Sequence, residues 1–204
     1  MFRSQISRSL SVLAAVAAFS VSANASSISG YSQSGGFATF SPGSLSTLGL
    51  RFMANEAISV ESLGFIDDSS DGLTTAHDVG LWTDAGDLLA STTVPAGIGA
   101  PLDAGFRYAA IAPVGLTAGQ VYRVGAMTLD ETYFNGVSYN SPTAITILDQ
   151  GTTYVGTGPV LGFPGDFTFG PGSAVANFQY VPEPASMSLL ALGGLALVRR
   201  RRLA

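Results

Sequence analysis

The chain of 204 residues contains no cysteine and a single histidine. Disulfide bonds, thiolate metal sites and cysteine nucleophiles are therefore excluded, and one chain cannot supply a metal centre with several histidines. Fourteen acidic residues outnumber nine basic residues, none of them lysine, and the net charge is −5. An acidic chain of this kind is a poor partner for nucleic acid and for anionic lipid.

The first 25 residues have the three parts of a secretory signal peptide. Arg3 and Arg8 give a positive start, Leu10–Val21 is an apolar run, and Ala23-Asn24-Ala25 has small residues at the spacing that signal peptidase cleaves. We therefore predict export, with Ala23 and Ala25 as the cleavage signal and Ser26 as the first residue of the mature protein. A retained signal anchor is the alternative.

Residues 26–180, called the body below, have the pattern of an all-β domain. Short runs of period two, such as Leu48–Phe52, alternate with Gly, Pro, Asn and Asp, and no apolar stripe at helical spacing lasts three turns. A phase change near Glu61-Ser62 predicts a bulge, and Asp84–Asp87 predicts a hairpin turn. The expected fold is an antiparallel β-sandwich of about eight to ten strands, jelly-roll or immunoglobulin-like, flanked by a signal helix and a short C-terminal transmembrane helix.

The body is more acidic than the whole chain. It contains only Arg51, Arg107 and Arg123 against thirteen acidic residues, which gives a net charge of about −10. Neutral polysaccharide and divalent cations therefore remain as classes of partner.

One acidic loop fits part of a calcium-loop template. The matching positions, in chain order, are Asp67, Ser69, Asp71 and Asp78, with Gly72 at the turn. Hard oxygen ligands suit Ca²⁺, but the flanking segments have strand patterns rather than the two helices of an EF-hand. Calcium is the one cofactor considered, as an alternative to the favoured interpretation, a solvated acidic loop with Gly72 at its turn and no cofactor.

Histidine and aromatic side chains give three further candidates. His77 is interpreted as a structural hydrogen-bonding residue rather than a base, since no Gly-x-Ser-x-Gly elbow occurs in the chain. Trp82 is interpreted as a core aromatic, although Leu81 beside it must then face the other way. Tyr133–Gly136 predicts a turn that places aromatic rings beside a loop.

Several motifs of the body occur in a characteristic order. They are Asp71-Gly72-Leu73, His77–Trp82, Gly105–Tyr108 and Leu116–Tyr122. This order resembles a bacterial extracellular β-sandwich domain of unknown function, over the stretch from Gly49 to Ala126. The resemblance implies a fold rather than an activity.

The last residues combine a proline box that favours extended backbone, an apolar run and a basic cluster. Pro182-Glu183-Pro184 precedes the uncharged run Ala185–Val198, and the cluster that follows consists of Arg199, Arg200, Arg201 and Arg202. A helix of about 14 residues rises about 21 Å, short of a hydrocarbon core of about 30 Å, so it is a weak anchor. The arginines favour the cytoplasmic side, which leaves the body outside the membrane.

This arrangement resembles the PEP-CTERM sorting signal of Gram-negative bacteria that make extracellular polysaccharide. The resemblance implies that Pro182, Glu183 and Pro184 form the box for exosortase, a membrane-embedded transpeptidase, and that Arg199–Arg202 retain the chain in the inner membrane until cleavage. An ordinary tail anchor that is never cut is the alternative. The expected organisation is a signal peptide at 1–25, an acidic β-sandwich at 26–180 and a sorting signal at 181–204.

Three classes of function follow from these features. The leading hypothesis is an exported, non-catalytic surface or matrix protein that is processed by an exosortase-type transpeptidase and associates with exopolysaccharide. The alternative is a carbohydrate-binding module, with or without calcium. A hydrolase is the third class, but no pattern singles out a pair of acidic residues or a nucleophile, and we assign no catalytic residue.

Overall fold

The computed structural model describes residues 26–40, 46–128, 132–154, 160–167 and 172–183. The regular secondary structure of these residues consists of β-strands, and all strand pairs are antiparallel, which confirms the predicted all-β antiparallel fold. The predicted signal helix and C-terminal helix lie outside the described residues.

Within those ranges, no helix has the length and apolar character that crossing a membrane requires.

The strands, in chain order, are β1 (Ile28–Ser29), β2 (Ser32–Ser34), β3 (Phe37–Phe40), β4 (Ser46–Ala54), β5 (Ile58–Ile66), β6 (His77–Thr83), β7 (Leu88–Val94), β8 (Leu102–Asp103), β9 (Phe106–Leu116), β10 (Val121–Thr128), β11 (Thr132–Asn140), β12 (Ile145–Tyr154), β13 (Asp166–Phe167), β14 (Gly172–Ala174) and β15 (Ala176–Pro182).

Two large sheets form the sandwich, and a smaller sheet flanks them. The front sheet has the order β1-β15-β5-β9-β8, and the back sheet has the order β13-β12-β4-β10-β6-β7. The side sheet has the order β14-β11-β2, with β3 also paired to β11. Strand β15, near the end of the chain, therefore lies inside the front sheet, between β1 and β5.

The core lies between the front and back sheets. Phe52 and Val124 of the back sheet and Leu63 and Phe178 of the front sheet are all completely buried. The rings of Phe52 and Phe178 stack across the interface with their centroids 4.5 Å apart. Because side chains alternate between the two faces of a strand, the period of two in the sequence places these residues inward. Burial of each such side chain stabilises the fold by about 1.5–3 kcal/mol.

Two local predictions are confirmed. The register between β5 and β9 shifts between Val60 and Ser62, which is the bulge expected near Glu61. Strands β6 and β7 are joined at the expected turn, where the Thr83 N–H donates to the Asp87 carbonyl oxygen at 2.9 Å. These features could be predicted because each depends on a few adjacent residues.

The turn predicted at Tyr133–Gly136 is wrong. These residues lie inside β11, and its pairing with β14 shifts in register between Phe134 and Val137. Gly136 has a φ of +72°, so the Asn-Gly pair forms a bulge within a strand. An Asn-Gly pair supplies positive φ equally well to a bulge and to a two-residue turn, and the dipeptide alone does not distinguish them.

A row of glycines crosses the outer face of the back sheet. Gly49 is paired with Gly125 and with Gly151, and Gly125 is also paired with Gly80. A Cβ atom placed at Gly49 would lie 2.9 Å from Cγ of Pro164. Since that distance is too short for real carbon atoms, the missing side chains are what allow the segment around Pro164 to lie directly on the sheet.

This segment, residues 160–165, forms a fixed cover on the back sheet. Arg123 Nη1 donates to the Pro164 carbonyl oxygen at 2.7 Å, and the guanidinium lies 4.6 Å from the Phe163 ring centroid. Trp82 meets Phe163 edge-on, with 6.3 Å between centroids, and is only 4% exposed. Trp82 is therefore buried as predicted, but beneath the cover rather than between the sheets, and it offers no free ring face to a ligand.

Asp84 joins the two arginines of this outer face. Its carboxylate accepts hydrogen bonds from Arg51 Nε at 3.0 Å and from Arg123 Nε at 2.9 Å. Arg51 also donates to Asp149 at 3.2 Å. Partial burial raises the pKa of the Asp84 carboxyl, but the hydrogen bonds from Arg51 and Arg123 outweigh it and hold the pKa below its usual value.

We predict that Asp84→Asn lowers the free energy of unfolding at pH 7 by about 1 kcal/mol, a small value because the Asp84 side chain is 35% exposed and solvent screens the pair. Since the folded pKa is depressed, Asp84 stabilises the fold above the unfolded pKa of about 3.9, and this stabilisation is lost as the pH falls through the folded pKa. Urea unfolding of both proteins from neutral pH to below the folded pKa should show the difference shrinking. A constant difference would contradict the assignment, and Asp87→Asn in the same turn is the control.

Candidate functional site

The start of the Pro-Glu-Pro box belongs to the folded body. Strand β15 continues through Pro182, which pairs with Ile58 of β5. The Glu183 N–H donates to the Ala57 carbonyl oxygen at 3.1 Å. The sheet therefore extends beyond the expected boundary at residue 180 to the first box residue, Pro182, and Glu183 is bonded to the fold just after the strand ends.

The other predicted sorting and cleavage residues lie outside the described residues. They are Pro184, Arg199, Arg200, Arg201 and Arg202 at the C-terminus, and Ala23 and Ala25 at the N-terminus. Ser26, the expected first residue of the mature protein, is described and exposed.

Two of the predicted calcium ligands are engaged by other side chains. Asp67 is buried and accepts a hydrogen bond from Arg107 Nε at 2.6 Å, and Asp78 on β6 accepts one from Thr93 Oγ1 at 2.6 Å. The other two positions are exposed: Ser69 and Asp71. Within the part of the chain that the structure describes, no three Asp, Glu or His side chains are grouped so as to hold a metal ion. The calcium site stays a prediction.

Arg107 ties this acidic loop to the sandwich. Its ion pair with Asp67 is almost completely buried, with 5% and 2% of the two side chains exposed. Nη1 of Arg107 donates to the carbonyl oxygens of Ile98, at 2.9 Å, and Ala100, at 2.8 Å. The guanidinium therefore has acceptors in two separate loops, and the Asp67 carboxylate has a structural role that does not involve a metal.

His77 is completely buried and bonded on both sides of its ring. The ring stacks on Phe65 with 3.6 Å between centroids, and Nδ1 donates to the Met127 carbonyl oxygen at 2.9 Å. Nε2 lies 3.3 Å from Thr75 Oγ1. The interpretation of His77 as a structural hydrogen-bonding residue is confirmed.

A pocket of about 340 Å³ opens where the front sheet meets the side sheet. Ser29 Oγ donates to Asp103 Oδ2 at 2.6 Å and lies 3.1 Å from Tyr108 Oη. Gln179 Nε2 donates to the same Asp103 oxygen at 3.2 Å. Asn140, at the end of β11, forms part of the facing wall. Burial raises the pKa of the Tyr108 phenol well above its usual value, so this hydroxyl stays protonated.

A second pocket, of about 410 Å³, lies beside the hairpin turn at Asp84 and the loop Gly119–Tyr122. The carboxylate that lines this second pocket is that of Asp84, which already accepts hydrogen bonds from Arg51 and Arg123. The first pocket is the better candidate for binding, because its carboxylate, Asp103, accepts hydrogen bonds from the neutral side chains of Ser29 and Gln179 and is not ion-paired with an arginine. The first pocket could not be predicted from the sequence, since Ser29 and Asp103 are 74 residues apart and no spacing rule joins them. The one local signal was Gly105, a residue typical of turns, just after Asp103.

We predict that Asp67→Asn lowers the free energy of unfolding by about 3–5 kcal/mol, because it leaves the buried Arg107 without its counter-charge. The loss should be the same with EDTA and with calcium, as measured by thermal denaturation.

Asp71→Asn is the matched control, because it removes the same charge from an exposed position of the same loop. Its effect should be within about 0.5 kcal/mol. A loss for Asp67→Asn that appears only when calcium is present would show that the metal, rather than Arg107, is the partner of Asp67. Calorimetric titration of the wild-type protein with calcium checks the predicted site directly.

Two comparisons identify the parts of the chain. A family model described as "Domain of unknown function (DUF4082)" matches residues 19–173, and a model described as "PEP-CTERM protein-sorting motif" matches residues 181–202. No curated protein matches the chain. The sorting motif marks an exported protein that is held at the membrane and then processed by exosortase. Because the first match covers more than half of the chain, the protein belongs to the DUF4082 family of domains of unknown function.

Proposed function

We propose that the protein is a non-catalytic component of the extracellular matrix, released by exosortase-type processing and retained by exopolysaccharide. The observation that carries this proposal is the continuity between β15 and the sorting box. Phe178 and Tyr180 of β15 are buried in the core, and Pro182 follows in the same strand. Cleavage beyond Glu183 would thus release a body whose front sheet is complete.

The charge of the body supports retention by neutral polymer. All three of its arginines are ion-paired within the fold: Arg51, Arg107 and Arg123. An acidic surface whose cations are already paired repels anionic polymers and tolerates neutral ones. Association with neutral exopolysaccharide is therefore part of the proposal.

The docked box adds a step to processing. Proteases and transpeptidases bind substrates as extended backbone whose N–H and C=O groups are free to pair. The Glu183 N–H is bonded to Ala57, and Pro182 is in register with Ile58. We infer that the end of β15 must detach from β5 before the box is bound.

We predict that insertion of Gly-Ser-Gly-Ser between Val181 and Pro182 speeds processing by about fivefold. A backbone hydrogen bond contributes about 1 kcal/mol, and the insertion moves the box away from the bond that Glu183 makes with Ala57. Pulse-chase labelling with mass spectrometry of the mature C-terminus gives the rate and the cut position.

The same insertion between the exposed residues Gly35 and Gly36 is the control, since it lengthens the chain far from the box. An unchanged or slower rate for the insertion after Val181, in a protein that keeps its melting temperature, would contradict detachment as a step.

We also predict that a chain ending at Glu183 folds normally but is not held at the membrane or delivered to the cell surface. The truncation keeps Pro182 and Glu183 because Pro182 is paired with Ile58 of β5 and the Glu183 N–H is bonded to the Ala57 carbonyl oxygen just before β5. Cell fractionation measures delivery, and the melting temperature of the purified protein separates failed sorting from misfolding. Wild-type surface delivery of the truncated chain would refute the sorting proposal.

A second candidate function, a carbohydrate-binding module, is favoured by the pocket beside Asp103. It differs from general retention because it requires a defined site that recognises the sugar.

A further inference from the structure

We propose that the pocket between the front and side sheets binds one uncharged, hydroxyl-rich sugar unit of an extracellular polysaccharide through Asp103 and Asn140. The inference rests on the proposed retention by polysaccharide and names the site and the class of sugar.

The walls of this pocket are held in place by three different strand pairings. Ser29 on β1 is paired with Gln179, and Asp103 on β8 is paired with Phe106. Asn140 on β11 is paired with Ser32 of β2. The Asp103 side chain is held before binding by its hydrogen bonds with Ser29 and Gln179, so it loses little conformational entropy when a ligand arrives. Such a junction of rigid strands and short turns is a favourable position for recognition.

The Asp103 carboxylate is oriented for a donor ligand. Ser29 Oγ and Gln179 Nε2 both donate to Oδ2, and among the described residues no hydrogen bond reaches Oδ1. Oδ1 therefore has its lone pairs available for a ligand hydroxyl. An ionised carboxylate only accepts hydrogen bonds, and the hydroxyl groups of sugars are suitable donors.

Asn140 complements Asp103 from the other wall. Its side chain is exposed and makes no hydrogen bond among the described residues, so both its amide donor and its acceptor are free. A group that donates and accepts suits the adjacent hydroxyls of a sugar ring. Ile28, which is 38% exposed, and Pro142 add apolar surface on which the C–H face of such a ring can rest.

The turn that positions Asp103 is strained. Ala104 has a φ of +49° and Gly105 a φ of +82°, in a two-residue connection between the paired residues Asp103 and Phe106. Asn or Gly is the favoured first residue of such a turn, whereas alanine in the left-handed region is disfavoured. Strain of this kind concentrates at functional positions, and here it lies beside the Asp103 carboxylate of the pocket.

Charge and volume restrict the ligand. Among the residues that the structure describes, Asp103 is the only charged one that lines the pocket, so an anionic sugar is repelled. The volume of about 340 Å³ lies near the lower end of the range for small-molecule sites, about 300–1,000 Å³, and suits a single unit of a longer chain.

The test uses the full chain, purified in a detergent that carries no sugar headgroup. Affinity electrophoresis against dextran, galactomannan and alginate compares the wild type with Asp103→Asn and Asn140→Ala. We expect binding to a neutral polymer that is unchanged between about 50 and 500 mM salt, no binding to alginate, and at least tenfold weaker binding by both variants. Asp71→Asn removes the same charge from an exposed loop outside the pocket and should bind like the wild type.

The inference is overturned if neither neutral polymer binds, if alginate binds more tightly, or if both variants bind like the wild type. Asn140→Ala keeps the test decisive should Asp103→Asn unfold, because Asn140 makes no side-chain bond in the described structure.

The same variants in cells separate the pocket from the sorting proposal. We expect Asp103→Asn to be processed at the tail but released into the medium. Normal retention of that variant, with delivery still dependent on the tail, refutes the pocket and leaves the sorting proposal standing. Delivery that is independent of the tail refutes the sorting proposal, whatever the pocket binds.

Discussion

The scarcity of positive charge is the constraint on which this fold depends. The body contains three arginines and thirteen acidic residues. Each arginine bonds to segments that are distant from one another in the sequence. Arg107 connects the loops at Asp67 and Ala100, and Arg123 connects the hairpin turn at Asp84 to the cover at Pro164. Because an arginine has five donors in a fixed fork, one residue can organise several loops. Because all three arginines are ion-paired, the remaining acidic residues give the body a negative charge that repels anionic partners.

One strand, β15, takes part both in the folded core and in the sorting signal. Strand β15 lies inside the front sheet, supplies Phe178 to the core and continues into the sorting box. Most of its residues must be native for the sandwich to exist, whereas its last residues must be released for processing under the proposed mechanism. Both requirements can be met by one strand, because the end of a strand opens at a far lower free energy than the part that lies in the core.

The sequence predicted those features that depend on neighbouring residues. The strand pattern around Leu50, the bulge at Glu61 and the turn after Thr83 all follow from local periodicity and turn chemistry, and the sorting motif is contiguous. Features that depend on register across strands were not visible. The glycine row joins residues from four strands, and Ser29 meets Asp103 only because the front sheet folds as it does. Prediction from a short motif can also fail: the positive φ that an Asn-Gly pair favours suits a bulge as well as a turn, and Asn135-Gly136 forms a bulge.

The pairing of the first strand with the last has a consequence for the order of events during export. Ile28 of β1 is in register with Tyr180 of β15, so the front sheet closes only when both ends of the body are available. Such long-range pairing is slow to form, and a chain threaded through the membrane emerges with its N-terminal part first. The sandwich is therefore completed only after β15 has emerged, when almost the whole body has crossed. The sorting motif begins at residue 181, inside β15, so the last strand pairing of the front sheet and the placement of the first motif residues are one event, the closing of β15 against β5.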